Sequence, residues 1–239
     1  MASKRKKFIM VLCEGPTDEM ALYPELKAFF DPSTIRFHIC HGDPLTTYSD
    51  RGKDPMNNVK KIVRQEMKRY ALRDSDVLAV FQITDTDGAF IPDSKIIEDP
   101  ERHKISYGKT EIRTAFPASI LSRNRKKRTN VLRVLEETNI TESIPYRIYY
   151  VSRNIEHALY GRDEHLSDGQ KGHLADDFAD SFDRDWRALY NHIINHCSPL
   201  GRSYEESWEK IQEGTRSLER HTNLNFLFED FSYLNYPSQ

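Results

Sequence analysis

The chain predicts an α/β fold, a mostly parallel sheet flanked by helices, from two observations. Phe8 to Cys13 is a short, continuously apolar run that suits a strand covered on both faces, and Val77 to Thr84 reads as another apolar strand. Between and after them strand-like and helix-like patterns alternate, an order that joins parallel strands through helical crossovers.

Taken in order, Phe8 to Cys13 is closed by Glu14-Gly15-Pro16. A helix is expected next, because Pro16 and Thr17 are start signals, Asp18 and Glu19 put acid in a first turn, and Met20, Leu22, Tyr23, Leu26 and Phe29/Phe30 keep a helical period. Thr34 to Cys40 alternates and reads as a strand; Val59 to Leu72 reads as an amphipathic helix carrying Ile62, Val63, Met67 and Tyr70 on one side. Val77 to Thr84 runs into Asp85-Thr86-Asp87-Gly88. Residues 88–117 are polar and proline-punctuated, a long excursion of the kind that often carries function, with a short strand near Ile105 to Tyr107. Ile120 to Leu135 reads as helix and Tyr146 to Val151 as strand, followed by a helix at Asn154-Ile155-Glu156-His157. From about Leu174 the chain reads as helices with Phe178, Phe182, Trp186, Leu189, Ile193 and Ile194 in the core, and Trp208 as a further anchor. The expected organisation is a catalytic domain over 1–160, with a polar insertion at about 88–140, and a helical extension over 161–239.

The 239 residues carry 35 Lys+Arg against 37 Asp+Glu, so a global charge of −2 decides no partner, and local runs matter instead. Lys4 to Lys7 and Arg123, Arg125, Lys126, Lys127 and Arg128 are basic, while Asp176 to Asp185 is acidic. Three scattered cysteines, Cys13, Cys40 and Cys197, argue against a disulfide framework and a zinc ribbon. The N-terminal MASKRKK-FIMVLC imitates a signal peptide, but its apolar run stops at Glu14, and no stretch approaches the roughly 20 apolar residues of a membrane helix. A cytoplasmic protein without membrane contact is expected.

Carboxylates follow three strands: Glu14 after the first, Asp85 and Asp87 after the third, Glu156 after the fourth. In a parallel sheet these ends share one edge, where ligands gather. Clustered carboxylates repel unless something positive joins them, and oxygen-only ligands favour Mg²⁺ or Mn²⁺. Asp18 could complete such a site. The bland alternative is that Glu14 and Asp18 cap a helix while Asp85 and Asp87 make a turn. His192, His196 and Cys197 lack a fourth ligand at metal spacing and read as structural.

Cys13-Glu14-Gly15-Pro16-Thr17-Asp18-Glu19 after one strand, with Asp85-Thr86-Asp87-Gly88 after another, resembles the Toprim signature, an EG motif followed by DxD, over roughly residues 8–160. Topoisomerases, bacterial primases, OLD-family nucleases and the 5S ribosomal RNA maturase share that domain. The resemblance implies a Toprim-like Rossmannoid sheet and a metal-dependent nuclease. Glu14, Asp18, Asp85, Asp87 and Glu156 would hold one or two Mg²⁺ (or Mn²⁺) ions, with Glu14 as ligand or as general base. Asp18 matches an extra acid of OLD-type nucleases, and Ser152 to Glu156 echoes their later motif. Lys171, in a glycine-flanked loop, is the candidate for their catalytic lysine. The basic run 123–128, with His103, Lys104 and Lys109, would grip the nucleic-acid backbone, and Tyr107 and Phe116 could stack bases. No GxxxxGK[ST] occurs, so the chain is not itself the ATPase of an OLD protein. A small standalone chain of this kind resembles Toprim effectors of anti-phage systems such as the PARIS type, which implies cleavage of RNA such as tRNA, or of DNA, under control of a separate ABC-type ATPase, a homo-oligomer, or both. Two other readings stay open: a non-catalytic Toprim module binding nucleic acid or a protein, and a phosphatase or nucleotide hydrolase.

Overall fold

A computed structural model describes residues 7–30, 45 and 54–232 in full and 35–41 as backbone. Thr34, the basic residues Lys4 to Lys6 and the side chain of Cys40 lie outside the described residues.

The architecture is mixed α/β. Strands β1 (Lys7–Cys13), β2 (Ile35–His41), β3 (Val77–Asp85), β7 (Asn139–Thr141) and β8 (Ile144–Val151) form a sheet in the order β2-β1-β3-β8-β7. β2, β1, β3 and β8 are parallel, and β7 is antiparallel to β8. Beyond its exposed first residue, Lys7, β1 is apolar because both its faces are covered. Ile9 and Val11 join one core with Phe81, Ile83, Tyr149 and Val151, while Met10 and Leu12 join the opposite core with Val80, Ile148 and Tyr150. The period-2 alternation of a strand sends successive side chains to the two faces, so a strand between two helical layers has no polar side.

On the first face lie α1 (Pro16–Phe29), α5 (Asp168–Asp180), α6 (Trp186–His196) and α8 (Asn225–Asp230), and on the second α2 (Pro55–Arg69), α3 (Pro117–Leu135) and α7 (Tyr204–Lys210). α2 and α3 start three or four residues before the sequence expectation. The cause is proline at the first helical position, Pro55 behind the Asp54 cap and Pro117, where the missing N–H costs nothing. The buried side of α2 is Met56, Val59, Val63 and Met67; Tyr70, expected on that side, is 46% exposed beyond the helix end. Ile194, expected in the core, is 41% exposed, whereas Phe178, Phe182, Leu189, Ile193 and Trp208 are buried and Trp186 stacks on Phe228 while half-buried.

The polar excursion carries a second sheet, β4 (Ile96–Glu98), β6 (Ile112–Thr114) and β5 (Ser106–Tyr107) in the order β4-β6-β5, over a small core of Ile91, Ile96, Ile112, Ile120 and Leu218. The C-terminal helices are not set apart from the sheet. Thr222 bridges Val151, its hydroxyl donates to Tyr150 O at 2.6 Å, and Asn223 Oδ1 accepts the Tyr150 N–H at 2.7 Å. Among the described residues no helix is long and apolar enough to cross a membrane.

Candidate active site

The parallel register pairs Leu12 with Gln82, so Glu14, two residues on, comes level with Thr84 at the carboxyl ends of β1 and β3. Glu14 Oε1 accepts from the Thr84 hydroxyl and the Asp85 N–H, both at 3.0 Å. Asp85 ends β3 opposite Val151 of β8. Beyond it the two strands stay stitched: Thr86 N–H donates to Val151 O, and Asp87 N–H to Arg153 O, each at 2.9 Å. Asp87 and Arg153 both adopt left-handed backbone, φ 51° and 56°, which non-glycine residues rarely keep without a structural or functional reason. The Arg153 N–H in turn donates to Thr86 Oγ1 at 2.9 Å.

Helix α3 delivers two cations to these acids. Lys127, fully buried, places its ammonium 2.6 Å from Asp87 Oδ2 and 3.2 Å from Glu14 Oε1. Arg123, one turn earlier, donates to Asp87 O at 2.8 Å and to the Tyr107 hydroxyl at 3.0 Å. The i, i+4 spacing puts both on one face. Arg125 and Arg128 turn elsewhere, to Asp93 at 2.7 and 3.2 Å, and Lys126 lies half-buried. The basic run is therefore split. Lys127, expected to grip a nucleic-acid backbone at the surface, points inward, and Arg123 braces the turn after β3. The pattern held a signal for this, since Ile120, Asn124, Lys127, Val131 and Val134 are the buried residues of α3 and recur at helical spacing.

The remaining acids approach from α1 and α4 (Ile155–Ala158). Asp18 Oδ2 accepts the Gly15 N–H at 3.0 Å, so it does cap α1, as the bland reading held, while also facing Glu156, which is one cause of its upward shift. Glu156, buried, pairs with Lys171 Nζ at 2.9 Å. Lys171 does not sit in a loop: Ser167 and Gln170 form a capping box, and Lys171 lies in the first turn of α5. Ser152, expected near the site, exchanges bonds with the backbone of His221 instead.

The electrostatics divide the acids. Burial pushes the Asp85 carboxyl well above the usual carboxylate range, and repulsion from Glu14, Asp18 and Asp87 adds to it. Burial also raises Asp18, against the Gly15 bond. Asp87 moves the other way, because Lys127 and Arg123 outweigh the burial that would raise it. Lys171 is raised despite its burial, held charged by Glu156.

Among the described residues no group of three or more His, Cys, Asp or Glu side chains could hold a metal ion as placed. Lys127 stands between two of the acids and pairs with both. The chemistry of the donor set nevertheless suits a hard divalent cation: every candidate ligand is a carboxylate, Asp18 interacts electrostatically with both Asp85 and Glu156, and Lys171 interacts with all three.

Beside this edge opens a cleft of about 570 Å³ between segment 101–107 of the excursion and segment 153–171; Glu156 and Lys171 line both the cleft and the acid cluster. Tyr107, half-buried, lines the cleft, and Phe116 is 64% exposed at the start of α3. His192 bonds Leu159 O at 2.9 Å and packs on Phe178 and Phe182, which accounts for it as a structural residue. Comparison of the chain with protein-family models, with curated proteins and with solved structures finds no match in any of the three.

Proposed function

We propose that the chain is a metal-dependent nuclease of Toprim type, which hydrolyses phosphodiester bonds in RNA, such as tRNA, or in DNA. The observation that carries this reading is the meeting of Glu14, Asp85, Asp87 and Glu156, from three strand ends, with Asp18 of α1 and two inserted lysines at one sheet edge. Glu14, Asp85, Asp18 and Glu156 would hold Mg²⁺ or Mn²⁺, and such an ion supplies Lewis-acid neutralisation of charge on the phosphodiester oxygens.

The chain's own groups do the rest. Lys171 stands beside the buried Glu156 with its ammonium kept protonated, so it can neutralise charge that develops on a phosphoryl oxygen. Lys127 and Arg123 keep Asp87 ionised and hold the turn after β3 in its strained form. The raised Asp85 is the carboxyl that gains most from an arriving cation. Glu14, fixed by Thr84, the Asp85 N–H and Lys127, is placed as ligand or as proton acceptor for the attacking water.

In the cell, we place the chain in the cytoplasm as the toxic effector of an anti-phage system, restrained by a separate ABC-type ATPase or by self-association; three scattered cysteines with no CxxC pair suit a reducing compartment. The test is incubation of the purified chain and Asp85→Ala with end-labelled RNA and DNA in Mg²⁺ or Mn²⁺, followed by mapping of the ends. New ends that require Asp85 support the proposal. A second reading, a non-catalytic module binding nucleic acid or a partner protein, is favoured by one observation: Lys127 already offsets the repulsion between Glu14 and Asp87 without any ion. Absence of ends under every condition, with nucleic acid still bound, would put that reading first.

A further inference from the structure

The cleft beside the acids has its own construction. One wall is Arg102, His103 and Lys104 of the excursion, all exposed; the other is Arg153, with His165 at the rim. Arg153 is the unusual member. Its side chain is only 7% exposed, its Nη1 is held by Asp163 Oδ1 at 2.6 Å, and its Nε is buried with no acceptor in hydrogen-bonding geometry. Its guanidinium carbon lies 5.1 Å from the centre of the Tyr107 ring. A guanidinium plane against an aromatic ring is a surface on which a nucleobase stacks, and a buried donor without an acceptor is a group that a ligand oxygen satisfies.

Arg153 is also tied to the acids. Its C=O accepts the Asp87 N–H and its N–H bonds Thr86, so its strained backbone is set by the turn that carries Asp87. Whatever Arg153 holds is therefore positioned relative to Asp85 and Asp87. Glu156 and Lys171 line the cleft and also belong to the acid cluster, so the cleft borders the acids.

We infer that this cleft is a nucleotide subsite: it takes one unpaired nucleotide adjoining the phosphodiester that lies over the acids, with its base toward the Arg153–Tyr107 pair and its phosphate toward Lys104 and Arg102. This rests on the nuclease reading for the identity of the neighbouring phosphodiester. The volume of about 570 Å³ lies in the range of sites for small organic ligands and is a concave pocket rather than the open track a duplex needs. Stacking on planar side chains with cations along the backbone is the recognition mode of unpaired strands.

The test is fluorescence anisotropy of the full chain with single-stranded 12-mers of RNA and DNA in EDTA, in wild type, Arg153→Lys and the exposed Lys104→Glu. An abasic residue is walked through the 12-mer, and a duplex of the same sequence and free nucleoside monophosphates are the other arms. Support is a loss of about tenfold in single-strand affinity in both variants, a smaller loss for the duplex, and one abasic position that costs wild type about tenfold and Arg153→Lys little. Single-strand affinity unchanged in Lys104→Glu, which has no core role that could unfold it, overturns the subsite. So does insensitivity to every abasic position, or a monophosphate that binds as tightly as the strand. Because no divalent ion is present, the two readings separate: position-dependent binding without cleavage in Mg²⁺ or Mn²⁺ leaves the subsite and removes the nuclease, and cleavage with position-independent binding does the reverse.

Discussion

The Lys127 ammonium lies 2.6 Å from Asp87 Oδ2 with 1% of its side chain exposed, and the carboxyl it faces is held below the usual range although burial alone would raise it. A buried lysine is stable only with its partners in place, and Asp87 and Glu14 are both part of the candidate site.

Removing that ammonium should therefore be costly. Lys127→Met leaves Asp87 and Glu14, each partly exposed at 30% and 22%, facing each other. Partial solvation reduces the usual penalty for an orphaned buried pair to about 2–3 kcal/mol. Urea denaturation at neutral pH in EDTA checks this, and Glu14→Gln in the same background should recover part of the loss. A Lys127→Met chain as stable as wild type would show that the ion pair contributes nothing.

Asp85 carries a cost of the opposite kind. Its native pKa lies well above the ordinary 3.8, so the fold prefers the neutral acid. That preference is fully present below the unfolded pKa and is lost as pH rises through the native one. Asp85→Asn should accordingly be more stable than wild type at pH 8, with the gap narrowing toward pH 5, while it abolishes cleavage. Denaturation midpoints at the two pH values, beside an end-labelled cleavage assay, test both halves.

Glu25 offers a second pH signature, remote from the acids. It is fully buried in α1, and burial raises it from 4.5 to about 7, with Asp180 adding repulsion and the backbone amides of Glu25 and Arg184 offsetting only part of the rise. The stability it contributes as a neutral acid is present below pH 4.5 and lost as pH passes about 7, on the order of 3 kcal/mol once fully ionised. Wild type should lose midpoint between about pH 4.5 and 7.5, and Glu25→Gln should flatten that slope. Parallel slopes would show that Glu25 does not titrate in this window.

The tail should behave as part of the sheet domain. Asn223, fully buried, accepts the Tyr150 N–H at 2.7 Å and donates to Ser207 Oγ at 3.1 Å. Asn223→Ala leaves the Tyr150 amide without its side-chain acceptor, for a loss of about 2–3 kcal/mol. A single cooperative transition, moved to lower urea, is expected; two separate transitions would mean that the C-terminal helices unfold independently.

Lys171 tests the chemistry and the fold together. It is one-third exposed and pairs with the buried Glu156, so Lys171→Ala should lower the cleavage rate by about 10²-fold and, by leaving that carboxylate unpaired, also lower the melting temperature, the rates being compared where both chains are folded. Lys171→Arg, which keeps the charge, should recover part of the rate. Equal rates in all three chains would remove Lys171 from the site.

Much of the framework was legible in the residues alone. The apolar runs at 8–13 and 77–84 announced strands, the first of them covered on both faces, and the positions of Glu14, Asp85, Asp87 and Glu156 after strands placed them on one edge. These features are local, because side-chain periodicity and strand order follow from which residues adjoin in sequence. Helix starts at Pro55 and Pro117 were missed for a local reason too: proline reads as a breaker unless its place at a first helical turn is recognised.

What the residues did not declare is where the cations go. Five basic side chains in six positions look like one solvated face, yet Lys127 and Arg123 turn to the acids while Arg125 and Arg128 turn to Asp93. Sequence determined the sheet, its carboxylate-bearing edge and the helical layers. Only the packing of α3 against that edge decided that Lys127 is the buried partner of Glu14 and Asp87, because a charge is paired by what lies within a few ångströms of it, and a separation of 113 residues along the chain carries no information about that distance.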